Sequence, residues 1–449
     1  MSTRPTSFRV IVAAAALMAA LVVLGLPALR YFTGGDASVA GVEAYRYRFE
    51  RATRGSVTRA LEQEIAFYQE RVARDPRGGL DLASLGATYL RMARATGDLS
   101  WYLLAEQAAQ RSIANLPFSN DAAVLVLAKV AEARHDFKEA LRLAGQVNSA
   151  EDALAILVSA NLATGNVDAA ERAADAMVKR APTLGSLTLR ALVHNARGKD
   201  GEAVADFERA IAAEEPGETG GSALVRTLLG RLHARRGRLD VARSLYGEAL
   251  RILPQHPLAL VQLAELEARA GAYRSAERHL SQVVTISASP NIYDHVVLRG
   301  IGRLKILQND SAAANDLWDQ AETRLRRDVA QGAFGHRREL AHLLLERGRP
   351  GHAEEALTLM RAEVRIRRDA ETMSILAWAL SVNGRLHEAR DAIREALRWG
   401  VRDAGLYYRA GAIEQALGEG ALAEAFFEKA GATDPTFDRQ ARRALGVEP

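Results

Sequence analysis

The chain has 449 residues, 48% hydrophobic and 25% charged, the balance of a folded, water-facing body; disorder throughout, a collagen-like repeat and a multi-span membrane protein fit poorly. Cysteine is absent, which excludes disulfides, thiolate zinc sites, iron–sulfur clusters, cysteine nucleophiles and a lipoprotein anchor. The net charge of +4 from 59 basic and 55 acidic residues implies no nucleic-acid partner, and six lysines among the 59 leave 53 arginines. Abundant alanine and only 6% aromatic residues predict close-packed helices with few or no strands.

Residues 1–9 carry Arg4 and Arg9, and residues 10–29 then run for about 30 Å of helix without a charge, enough to cross a hydrocarbon core. The positive flank places the amino terminus in the cytoplasm and the rest outside it, as a single-pass anchor of the cytoplasmic membrane. A secretory signal cleaved after Ala28 or Ala40 would export the same body to the periplasm or beyond. Residues 30–55, with Gly34, Gly35 and Gly41 and the basic Arg46, Arg48, Arg51 and Arg54, read as a juxtamembrane tether. From Ser56, Leu61, Ile65, Tyr68 and Val72 share one helical face until Asp75-Pro76 stops the helix.

An internal period follows. Glycines at 165, 198, 237, 271, 348, 384 and 418 are each followed five residues later by an alanine, and Asn309 with Ala314 fills the one wide gap at a spacing of 33 to 39. Glycine and asparagine suit a left-handed turn, so each unit is a helix, a tight turn and an antiparallel helix. The alanine marks a close helix crossing, with Tyr246, Trp318 or Phe427 four residues on to fill the hollow beside it.

These residues resemble the tetratricopeptide repeat family. The clearest unit has Leu229-Gly230, His233, Ala242, Tyr246, Ala249 and Pro254; the last has Ala410-Gly411, Ala423, Phe427, Ala430 and Pro435; an early one has Leu85-Gly86, Tyr89, Ala105 and Pro117, with about seven extra residues around Thr96 to Trp101. The resemblance implies an all-α, right-handed solenoid of about ten repeats over residues 56–449, with half a unit at Leu61 to Pro76 and a capping helix at Phe437 to Leu445. It also implies a protein-binding concave groove rather than an active site.

No catalytic constellation stands out. The ten histidines are scattered, with His336 and His342 six apart and off one helical face, and they read as solvated or capping groups. Gly300 and Gly302 read as packing residues, Glu214 and Glu215 lie in a connection, and no cofactor or metal is implied. In the family, positions three before and one after the small packing residue face the groove. Carried over, these are Thr227 and Arg231, Arg299 and Arg303, Arg338 and His342, with Arg235 one turn beyond Arg231. Such a basic stripe would grip an acidic peptide segment or an anionic envelope polymer; the competing reading pairs these arginines with acids of adjacent units. Val261, Glu265, Ser374 and Trp378 interrupt the stripe, and Ala83, Ala87, Ala155 and Ser159 suggest an apolar groove in the early units. The expected function is a membrane-tethered scaffold for a protein or peptide partner in envelope assembly or secretion. The alternatives are an accessory of polymer export or a regulatory subunit of an envelope enzyme.

Overall fold

The computed structural model describes residues 45–148, 150–284, 291–330 and 336–447. The chain divides into two units, Met1–Arg46 and Tyr47–Pro449. Of the first, only Tyr45 and Arg46 are described, so the anchor read from residues 10–29 lies outside the described residues. Among the described residues no helix is long and apolar enough to cross a membrane.

The second unit is all-helical among its described residues, with 22 helices. A single helix, α1 (Ser56–Arg74), precedes ten antiparallel pairs: α2 (Gly79–Thr96) with α3 (Ser100–Asn115), α4 (Asp121–Ala133) with α5 (Phe137–Ala144), α6 (Ala150–Ala163) with α7 (Val167–Arg180), α8 (Leu184–Ala196) with α9 (Asp200–Ala212), and α10 (Thr219–Ala234) with α11 (Leu239–Ile252). The series continues with α12 (Pro257–Arg269) and α13 (Tyr273–Val284), α14 (Asp294–Leu307) and α15 (Ser311–Ala330), α16 (Arg337–Arg347) and α17 (His352–Glu363), α18 (Ala370–Val382) and α19 (Leu386–Leu397), and α20 (Ala404–Ala416) and α21 (Gly420–Thr433). A short α22 (Arg439–Ala444) closes the series.

Turn chemistry explains the pairing. Gly165, Gly198, Gly237, Gly271, Gly348, Gly384 and Gly418 all have positive φ, as does Asn309 at 63°. His135, at φ 61°, fills the same position in the second pair, five residues before Ala140. Side-chain caps start the helices that follow: Asp136, Thr183, Asp369 and Asp403 each accept from an amide of the next turn, and His256 does so through Nδ1 ahead of Pro257. Pro254 and Pro435 lie just past the ends of α11 and α21, where they cannot continue the helix.

Within a pair the helices meet at the small residues. A side chain at Gly230 would collide with the Tyr246 ring, at Gly302 with Trp318 and at Gly411 with Phe427, and Gly86 lies against the Ala105 carbonyl and Val126. Ala242 is fully buried and Ala423 nearly so. Tyr89 is buried and accepts from Gln69 Nε2 at 3.0 Å, which ties the first pair to α1. The extra length of that pair does not form an inserted loop: it lengthens α2 and α3 and leaves a three-residue corner at Gly97–Leu99.

The stretch read as a tether is docked from Tyr47 onward. The Tyr47 amide donates to Glu248 Oε1 at 2.9 Å, the Ala52 amide donates to the Ile252 carbonyl at 3.0 Å, and the Tyr47 ring packs with Ala223, Ala249 and Ile252. Below it Arg226 and Glu214, both wholly buried, pair through two hydrogen bonds of 2.9 and 3.0 Å, with the Arg226 guanidinium 5.6 Å from the Tyr47 ring centre.

Successive superhelical turns touch. The Ile292 amide donates to the Gly97 carbonyl at 3.0 Å and the Arg368 amide to the Ala163 carbonyl at 2.8 Å. Trp399 Nε1 donates to the Gly165 carbonyl at 3.2 Å, and Arg402 pairs with Asp200 at 2.8 Å. The partners are 195 to 234 residues apart, so a superhelical turn takes about six units at the spacing of the glycines. The closest approach is at Gly198, where a side chain would fall on the Gly400 carbonyl oxygen. Gly198→Ala therefore meets both left-handed strain and this collision, whereas Gly384→Ala, at φ 72° facing open space, meets the strain alone. The strain costs about 1–2 kcal/mol in either variant. Thermal unfolding should show the larger loss for Gly198→Ala; equal losses would contradict a closed turn-to-turn contact.

Candidate functional site

Closing the turns converts the concave groove into an interior channel. Its main cavity, of about 630 Å³, is walled by residues from α6 to α20 and by the C-terminal Phe437, Leu445 and Val447. A second cavity of about 230 Å³ adjoins it and shares Glu265, Arg299, Arg303, His342 and Glu371. Arg231, Arg235, Arg299, Arg303 and His342 line the first and Arg338 the second, so the structure brings the six candidate residues to one continuous interior. Thr227 does not join them: it is fully buried and returns its hydroxyl to the Ala223 carbonyl at 2.8 Å. In the early units Ala83 is core and Ala87 faces solvent, and only Ser159 of the four small residues reaches the channel.

The arginines fall into two groups. Arg303 donates from Nη2 to Glu346 at 2.9 Å, and Arg299 lies 3.4 Å from the same carboxylate. Burial acts to raise the Glu346 pKa, and the charges of Arg303 and Arg299 outweigh it and hold the group ionised. Arg338 pairs with Glu339 at 2.7 Å and lies 3.6 Å from Glu371, whose carboxyl is held down to about 2, chiefly by Arg338. Arg235 is 3.6 Å from Asp403, which caps α20, across the superhelical turn. The like-charge stripe read from the sequence is thus compensated within the protein at these positions.

Arg231 and Arg409 form the other group. Among the described residues neither has a carboxylate within 4.0 Å. The charged form of Arg231 is disfavoured first by neighbouring Arg235 and then by burial. Burial lowers the Arg409 pKa to about 10; its guanidinium lies 5.0 Å from the Trp378 ring centre and donates to Ser374 Oγ. His342 meets the edge of the same Trp378 at 5.7 Å. Burial and then Arg299 and Arg303 keep its imidazole neutral, with Nε2 unpartnered.

Arg409 escaped the sequence reading because it lies two residues before Gly411, where the family register selects the third, Tyr408. Glu346 was within reach, one helical turn beyond His342 on α16. Asp403 was not, because only closure of the superhelix brings α20 to α10. The histidines divide: His256 caps α12 and His387 is exposed, in line with solvated or capping groups, whereas His233, His295, His336 and His352 are buried, and the His295 and His336 rings lie 4.8 Å apart. Among the described residues no group of His, Asp and Glu could hold a metal ion.

Residues 183–255, which contain α8–α11, match the tetratricopeptide repeat family model. No curated protein sequence matches the chain. Solved structures with a similar course include yeast Tom70, at 11% identity over 88% of this chain and 93% of that one with a TM-score of 0.39. The Cut9–Hcn1 hetero-tetramer of APC/C aligns at 12% identity over 87% and 94% with a TM-score of 0.32, and human IFIT1, solved as a dimer with PPP-AAAA, at 15% over 82% and 86% with 0.43. The match covers the helix pairs α8–α9 and α10–α11, and the pairs on either side repeat their turn geometry, so the described body is an all-helical repeat solenoid with a tetratricopeptide match in its middle.

The two groups of arginine differ in what they contribute to stability. Arg303→Gln leaves the buried Glu346 with the longer Arg299 contact alone and should lower the unfolding free energy by about 2 kcal/mol. Arg231→Gln removes an uncompensated charge and should leave stability within about 0.5 kcal/mol of the parent or raise it. Chemical denaturation of the two variants checks the asymmetry, which a similar loss in both would refute.

Proposed function

We propose that the chain is a membrane-tethered scaffold, without chemistry of its own, that holds an acidic segment of a partner protein in its interior channel. The observation that carries this reading is the pair Arg231 and Arg409, two cations inside the channel with no carboxylate at contact distance among the described residues. Both side chains are half-buried, and a charge partly withdrawn from water without a counter-charge is under-solvated, so an anion that enters gains what the fold leaves unsatisfied. Guanidinium groups suit carboxylates, which they can grip through two parallel hydrogen bonds. Trp399 supplies flat apolar wall to the channel, and a cavity of about 630 Å³ is of the size that takes an extended stretch of a few residues. The uncharged run over 10–29 supports the tether, and the positive residues before it support an extracytoplasmic body in the cell envelope.

A fluorescein-labelled hexaglutamate peptide tests the channel directly. Fluorescence anisotropy should show saturable binding to the parent chain and binding weaker by at least about 100-fold in Arg231→Glu/Arg409→Glu, since each lost charge-assisted contact is worth about 1.5–3 kcal/mol. Binding that is unchanged in the variant at low and high salt would remove the arginines from the site.

A further inference from the structure

The first helices of successive units stack closely from α2 through α12 and again from α16 through α20, but α12, α14 and α16 do not continue the stack as closely. The notch between α12 and α14 is filled by α22, which packs against both although it lies four to five units further along the chain. Its Ala444 belongs to the same buried cluster as Leu260, Val261, Ala264 and Ala268 of α12 and Val297 and Leu304 of α14. Ala441, one turn earlier on the same face, is equally buried. The small residues let α22 approach closely, as alanine and glycine do between the helices of each pair.

Polar contacts fix the register at both ends. Before the helix, Asp434 accepts from Arg269 Nη2 at 2.8 Å and Thr436 Oγ1 accepts from the same group at 2.7 Å, and in its first turn Gln440 donates to the Arg269 carbonyl at 3.1 Å. After it, Arg303 Nη1 donates to the Ala444 carbonyl at 3.4 Å, and Gly446 passes so close to the Arg303 guanidinium that a side chain would collide with it. A carbonyl at a helix C-terminus lacks an intrahelical partner, and a groove arginine supplies one here.

We propose that the α12–α14 notch is a docking site for a short helix of a partner protein, and that α22 is the resident occupant that the partner helix displaces. The partner helix carries what the notch selects in α22: an acidic residue for Arg269, then a face of two alanines one turn apart followed by a leucine. Six residues do not hold a helix in isolation, so α22 is ordered only by what it packs against, the notch and the Tyr408 ring of α20 under Arg442, and is the element of the solenoid most open to exchange. This reading does not depend on which ligand Arg231 and Arg409 hold.

The test uses a fluorescein-labelled peptide of residues 434–447 and the full chain. Ala441→Arg/Ala444→Arg places two long cations where the notch accepts only small residues, and so expels the resident helix. The labelled peptide should bind this variant saturably and at least ten-fold more tightly than it binds the parent, whose own segment competes at high effective concentration. Adding Arg269→Ala to the variant should weaken the peptide by a further ten-fold. Equal binding to variant and parent, or no saturable binding to a variant that keeps the parent's helix content, overturns the proposal. Should the variant fail to fold, hydrogen exchange of the parent decides: the amides of 441–447 should exchange at least ten-fold faster than those of α20, and equal rates would show that α22 does not leave.

Discussion

Everything distinctive about this solenoid depends on one contact, the meeting of each superhelical turn with the next. Open helix pairs would leave a broad groove and a continuous strip of solvated turns. Here the turns themselves become an interface: Gly165 and Gly198 present bare backbone to Arg368 and Gly400, and Thr96 to Asp98 meet Asn291. The residues that permit these contacts are the left-handed glycines already required by the helical turns. One conformational demand therefore serves two purposes, since a residue without a side chain can both reverse the chain and let a second backbone approach.

Closure in turn sets the electrostatics of the interior. Arginines that would be solvated on an open groove are brought among carboxylates from units several positions away, and Arg235 with Asp403 and Arg269 with Asp434 are pairs made only by closure. Arg299, Arg303 and Arg338 hold Glu346, Glu339 and Glu371 in the ionised form and contribute to the fold. Arg231 and Arg409 are left over, and a site built from surplus charge surrounded by satisfied pairs is more selective than a uniformly basic stripe, because the paired groups are not free to grip an anion.

The sequence carries the repeat openly and the closure hardly at all. Positive-φ glycines with an alanine five residues on are local signals, so about ten helix pairs and most of their turns could be read in advance, whereas the contacts of Gly230, Gly302 and Gly411 with Tyr246, Trp318 and Phe427 could not, because the sequence pattern puts those rings beside the alanines four residues before them. The second pair shows the limit of that signal, because His135 occupies its left-handed turn and a glycine search passes over it. The groove register also carried across, with Thr227 as its exception. What could not be read was long-range: that residues from Tyr47 would be pinned by Glu248, that Asp403 would face Arg235, and that the helix following Pro435 would lie in the interior rather than end the stack. Each depends on the curvature summed over about six units, and no single unit encodes that in its own residues.

Amide hydrogen exchange at Ile292 and Arg368 tests the closed superhelix most directly. Both amides lie outside any helix and donate only to carbonyls of the adjacent superhelical turn, Gly97 and Ala163. The closed structure predicts protection at these two positions approaching that of the flanking helices α14 and α18. Exchange at the rate of unprotected loop amides, with the helices still protected, would mean that the turns stand apart in solution, and the interior channel with its two groups of arginine would not exist as described.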